Sequence, residues 1–121
     1  MNIALNHVDL PVADVPATAS FFESHFGFRP VMRRPDGLTV LLGDDGFALT
    51  LSPLVDGCDG NWPAGFHVGF NLRDEGDFHA LQARLRDGAI PFVRDNVRFG
   101  GAETFQVLAP GGVLVEIALR P

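Results

Sequence analysis

Two of the four histidines in this 121-residue chain recur in the same local setting, and a glutamate near the end of the chain shares their pattern. Imidazole and carboxylate are the side chains that most often bind cations or move protons near neutral pH. His7-Val8 matches His67-Val68 at an offset of 60, and an aspartate follows seven residues after each histidine, Asp14 and Asp74. Residues 42–52 align without gaps to residues 108–118 at an offset of 66, which places Thr50 opposite Glu116. Two imidazoles and one carboxylate at equivalent places of an internal repeat point to one shared site made of His7, His67 and Glu116.

Strand parity supports that grouping, because residues two apart on a strand share a face. Val8, Leu10 and Val12 form an apolar face and leave His7 and Asp9 on the other; Phe66, Val68, Phe70 and Leu72 do the same and leave His67 with Gly69 and Asn71. Near the end, Val113, Val115, Ile117 and Leu119 are apolar while Glu116 points the opposite way, as Thr50 does between Leu49 and Leu51. All four positions therefore avoid the main core. An isolated strand histidine usually faces water on an uncovered sheet; the repetition separates these two from that ordinary case.

The elements that must hold these residues follow from periodicity. A strand over residues 7–12 leads to a helix capped by Asp14, with Pro16 in its first turn and Ala19, Phe22 and Phe26 on its apolar face. Gly27 ends it in the left-handed conformation, and strands are predicted over 28–33, 38–42 and 47–52. After a Gly-, Pro- and Asp-rich connector over 54–63 the order restarts with a strand at 66–72. A helix burying Phe78, Leu81 and Leu85 stops near Gly88, and strands follow at 90–94, 104–108 and 113–119. Residues 95–101 are predicted to form a longer glycine-containing loop. The reading is an α+β fold of two β-α-β-β-β modules, 1–53 and 64–121, in one domain.

Composition narrows the chemistry. The chain is 46% hydrophobic and carries a formal net charge of −6, with nine arginines and no lysine. A basic surface for nucleic acid is not expected, and lysine Schiff-base chemistry is excluded. The absence of tyrosine removes a common general acid. Cys58 has no second cysteine to pair with, no apolar run approaches the ~20 residues of a membrane helix, and nothing at the amino terminus resembles a signal segment. The reducing cytoplasm is the expected compartment.

The paired modules, the opening His7-Val8-Asp9-Leu10-Pro11-Val12-Ala13-Asp14, the Phe26-Gly27-Phe28 helix end and Ala109-Pro110-Gly111-Gly112 together resemble the vicinal oxygen chelate superfamily, the glyoxalase, bleomycin-resistance and dioxygenase group. The resemblance covers nearly the whole chain. It implies a curved mixed sheet with the helices on its outer face, and His7, His67 and Glu116 as ligands of a divalent metal. Such a donor set suits Fe, Mn, Zn, Ni or Co and leaves positions open for water or substrate. A small oxygen-rich substrate chelating the metal through adjacent oxygens is the implied reaction partner, and a homodimer the implied assembly.

Within that family the four-ligand glyoxalase I pattern has a carboxylate where this chain has Thr50, which argues against ordinary glyoxalase I activity. The three-ligand pattern is more similar to fosfomycin-modifying transferases and extradiol dioxygenases; the tyrosines of both are missing here, Arg94 and Arg98 could only partly replace the transferases' basic residues, and the remaining histidines are poorly placed for the dioxygenases' acid-base histidine. Metal-free sequestration of a small molecule, as in bleomycin-resistance proteins, is the alternative. Thr50, Trp62, Arg98, Phe99 and Gln106 are the candidate substrate contacts: Trp62 and Phe99 as flat apolar walls, Arg98 as a cation for a carboxylate or phosphate. Glu103 is a weaker candidate in the same segment. His25 at a helix end and His79 on a helix surface are read as structural, and Cys58 as an incidental thiol.

Overall fold

The computed structural model of the chain describes residues 1–121, apart from the side chain of Phe99. Its elements run β1 (His7–Val12), α1 (Val15–Phe26), β2 (Arg29–Arg33), β3 (Thr39–Leu42), β4 (Ala48–Pro53), β5 (His67–Leu72), α2 (Glu75–Asp87), β6 (Phe92–Phe99), β7 (Ala102–Leu108) and β8 (Leu114–Leu119). Two compact units divide the chain, Met1–Asn61 and Trp62–Pro121.

In the first unit the strand order is β1-β4-β3-β2, with β1 parallel to β4 and the other pairs antiparallel. Asp14 caps α1 by accepting from the Ala17 N–H at 3.0 Å, which satisfies one of the orphan donors of the first turn. Gly27 closes the helix at φ 72°, a conformation that costs a residue with a Cβ about 1–2 kcal/mol. Leu10, Val12, Phe22, Leu41, Leu49 and Leu51 fill the core between helix and sheet, each at 3% exposure or less.

The second unit repeats the order as β5-β8-β7-β6, again with one parallel pair, β5 to β8. Asp74 accepts from the Asp77 N–H at 2.8 Å. Glu75 and Asp77 in the first turn of α2 and Arg84 and Arg86 in its last match the helix dipole. Phe78, Leu85, Phe105, Val107, Val115 and Ile117 are fully buried, and the rings of Phe78 and Phe105 meet edge to face at 5.1 Å. The helix ends differently from α1: Gly88 keeps an ordinary φ of −79°, and the left-handed residue is Ala89 at φ 57°.

Each module is thus a four-stranded mixed sheet with one helix, the α+β architecture expected from the sequence. The predicted loop over 95–101 is corrected: β6 continues to Phe99 and only Gly100 and Gly101 turn the chain into β7. Polar and charged residues disguise this strand. It carries register shifts between Phe92 and Arg94 and between Arg94 and Val97. α2 holds the irregular stretch, with Arg86 bonded to the Asp95 carboxylate, Gln82 donating to Asn96 Oδ1 at 3.0 Å, and the Arg86 guanidinium over the Phe92 ring at 4.1 Å.

Candidate functional site

Gly65 bends the chain into β5 at φ +84°, and its carbonyl lies 2.9 Å from Nδ1 of His67. A carbonyl only accepts, so Nδ1 carries the proton and Nε2 keeps its lone pair. That Nε2 lies 3.9 Å from Oε2 of Glu116. The separation is too long for a hydrogen bond but lies within the span of two donors on one ion, whose bond lengths sum to about 4.2 Å. The other carboxylate oxygen, Oε1, accepts from Gln106 Nε2 at 3.3 Å.

The ladder explains the meeting. Gly69 on β5 and Gln106 on β7 flank Glu116 on β8 from either side. Glycine leaves one flank without a side chain, and the amide on the other occupies one oxygen of the carboxylate. The side chains of His67 and Glu116 are 42% and 25% exposed, so the pair is open to solvent on one side.

The first module repeats this register. His7 pairs with Ala48 and Asp9 with Thr50, as His67 pairs with Leu114 and Gly69 with Glu116, so offsets of 60 and 66 hold in space within each sheet. Nδ1 of His7 lies 2.7 Å from Oδ1 of Asn6, an oxygen that only accepts, so here too Nδ1 carries the proton. Thr50 stands at the place of Glu116, and beside it Asp9 accepts a 2.6 Å hydrogen bond from Ser52 Oγ. Among the described residues, neither module by itself gathers three His, Cys, Asp or Glu side chains able to hold a metal ion.

The remaining candidates lie as follows. Trp62 stacks on Phe66 with ring centroids 4.7 Å apart and planes 17° from parallel, directly before the strand that begins at His67. Its Nε1 is buried without a hydrogen-bond partner among the described residues, and the ring lies against Gly112, where a Cβ would stand 3.8 Å from Cδ1. Arg98 is exposed on β6 and pairs across the ladder with Glu103. The Phe99 side chain lies outside the described residues. His79 is on the α2 surface with Nε2 3.5 Å from Glu75 Oε1, His25 is in the last turn of α1 with its ring 5.6 Å from that of Phe21, and Cys58 is exposed. A cavity of about 370 Å³ opens at the start of α1 among Val15, Pro16, Ala19, Arg33, Thr39 and Pro53, and includes none of these candidates.

Sequence reasoning missed three supports of the site. Gly65 acts through its backbone carbonyl and Asn6 through a side-chain amide oxygen beside His7 in sequence, neither of which periodicity encodes. Ser52 shares a face with Thr50 and could have been found by parity; its bond to Asp9 depends on the parallel register of β1 and β4.

The pattern of the Glyoxalase/Bleomycin resistance protein/Dioxygenase superfamily matches residues 4–117, and the chain belongs to that superfamily. A possible glyoxalase from Bacillus cereus is 32% identical, with 97% of this chain and 99% of that one covered at a TM-score of 0.82. Two more distant structures share the fold. The lactoylglutathione lyase of Agrobacterium tumefaciens is 19% identical, covering 96% of this chain and 92% of its own at a TM-score of 0.77. The fosfomycin resistance protein FosX of Listeria monocytogenes is 16% identical, covering 100% and 96% at 0.82. No curated protein sequence matches the chain. Among the described residues, no helix is long and apolar enough to cross a membrane.

Proposed function

We propose that the chain is a divalent-metal-dependent enzyme of the glyoxalase and dioxygenase type, acting on a small oxygen-rich substrate through His7, His67 and Glu116. The observation that carries this reading is the approach of His67 Nε2 to Glu116 Oε2 at 3.9 Å with the far nitrogen of the imidazole already tied to Gly65. Metal-binding histidines commonly donate their other N–H to an oxygen in this way. The two modules act as one domain, and two copies form a homodimer.

The donor set fits Fe, Mn, Zn, Ni or Co. Such an ion supplies Lewis-acid stabilisation of negative charge on two adjacent substrate oxygens. The protein's own part is orientation. Gly65 keeps His67 in the tautomer with a free Nε2, Asn6 does the same for His7, and Gln106 occupies Oε1 of Glu116 so that Oε2 faces His67. Trp62, Thr50 and Gln106 contact the substrate, and Arg98 receives an anionic group on it.

A second reading draws on the Trp62–Phe66 stack, which offers a flat aromatic surface to an aromatic or cationic compound. A net charge of −6 suits a cationic ligand. Such a metal-free binding protein would not need matched, oriented histidines.

Elemental analysis of untagged protein purified without added metal separates the two. The enzyme reading expects near-stoichiometric transition metal in the wild type and reduced occupancy in His7→Ala, His67→Ala and Glu116→Ala. A wild type that takes up no transition metal even when supplied with it rejects that reading.

A further inference from the structure

We infer that the cavity of about 370 Å³ beside α1 in the first module is a binding site for a small monocarboxylate with a ring-sized apolar body. The site goes beyond the metal-dependent reading, since the cavity lies on the helix side of the first sheet and His7 and Thr50 on the other.

Comparison of the two modules explains the space. Thr39 pairs with Leu51 as Phe105 pairs with Ile117, so Thr39 and Phe105 are equivalent, again at an offset of 66. On the helices Thr18 and Phe78 are equivalent, each four residues after its capping aspartate. In the second module the two phenylalanine rings are fully buried, meet at 5.1 Å and fill the interval between helix and sheet. The first module has a threonine at each place. Thr18 is fully buried and turns its hydroxyl back to the Asp14 carbonyl at 2.7 Å, while Thr39 lines the cavity with Val15, Pro16, Ala19 and Pro53. Small side chains there leave open a volume within the range of ligand pockets, about 300–1,000 Å³.

A ladder rung brings a cation to this space. Leu10, Leu51 and Thr39 are successive partners across β1, β4 and β3, each at 4% exposure or less, and Arg33 on the edge strand β2 completes the row. Partners across a ladder share a face, so Arg33 stands on the helix side, where it lines the cavity. Among the described residues its guanidinium meets only Glu23, with Nη2 3.8 Å from Oε1, beyond hydrogen-bond length. Arg34 also lines the cavity but is bonded to Asp36 at 2.7 Å. Arg33 therefore keeps its planar fork of donors for an incoming carboxylate, which such a fork binds through two parallel bonds. The apolar body of the ligand takes the place that Phe105 fills in the other module.

The test is a titration of the full-length protein with phenylacetate, followed by ¹H–¹⁵N correlation spectra. Saturable shifts are expected at the amides of Val15, Ala19, Arg33 and Thr39. Arg33→Gln should weaken binding by about tenfold, the loss of a charge-assisted contact, and Glu23→Gln, which removes a competing acid, should tighten it. 2-Phenylethanol has the ring without the charge and should also bind about tenfold more weakly. Thr39→Phe restores the second module's ring and should abolish binding without lowering the melting temperature; Arg33→Gln, at an exposed edge, serves if Thr39→Phe does not fold. A wild type with no saturable shifts at these amides overturns the inference, as do shifts that persist with equal affinity in both variants, or an alcohol that binds as tightly as the acid. None of these readouts depends on metal content, so their failure leaves the metal-dependent reading standing.

Discussion

Glu116 shares its two carboxylate oxygens between two neighbours of its own module: Oε1 accepts from Gln106 Nε2 at 3.3 Å, and Oε2 faces His67 Nε2 at 3.9 Å. The first contact is a hydrogen bond. The second is too long for one. Removing the amide should therefore alter the acid's aim without deleting the acid.

Gln106→Leu is expected to lower divalent-metal affinity by about 10- to 100-fold, the range typical of partners that orient a ligand. Its melting temperature should stay near that of the wild type because the side chain is only half-buried. Chelator competition and thermal melting together check both parts.

Gly65 sits at φ +84° with open space where a Cβ would project, so a Gly65→Ala change meets backbone strain rather than a clash. The expected cost is about 1–2 kcal/mol, measured by urea unfolding. The same change should loosen the carbonyl that holds His67 Nδ1, which ¹⁵N–¹H correlation of the imidazole reports as a more mixed tautomer.

Ala89 poses the opposite case, a residue with a Cβ in the left-handed region at φ 57°. Ala89→Gly relieves that strain but adds freedom to the unfolded chain, so a net gain of about 0.5–1 kcal/mol is expected. A shift of the denaturation midpoint to higher urea at unchanged slope is the measurement.

The two caps give a paired experiment. Asp14 and Asp74 make equivalent bonds to the third residue after each, at 3.0 and 2.8 Å. Replacing either by alanine should destabilise the protein by about 1 kcal/mol, read from chemical denaturation of each single variant.

Much of this architecture is legible in the residues themselves. The aspartates at 14 and 74 and the buried spacing of Phe78, Leu81 and Leu85 define the helices, because cap chemistry and helical period are local. The equivalence of His7 with His67 and of Thr50 with Glu116 is visible as two offsets, and the ladders preserve both. What escaped was structure fixed by neighbours distant in sequence. β6 lacks a clean alternation because Asp95 and Asn96 are tied to Arg86 and Gln82 of α2, so it reads as a loop. α2 stops at Asp87 with Gly88 as its cap, where the sequence puts its end; the left-handed residue that follows, Ala89, carries no local signal of that conformation. The supports of the histidines escaped as well, since a backbone carbonyl such as that of Gly65 has no residue type to betray it.

The parallel pairing of β1 with β4 and of β5 with β8 has a kinetic consequence. In each half the histidine-bearing strand emerges first but finds its hydrogen-bonded mate only after a helix and two further strands have been made. Long-range closure of this kind is slow compared with helix formation. During synthesis, His67 gains its partner strand only once residues 114–119 have left the ribosome, so the second half's imidazole and acid come together only after every other element of that half has emerged.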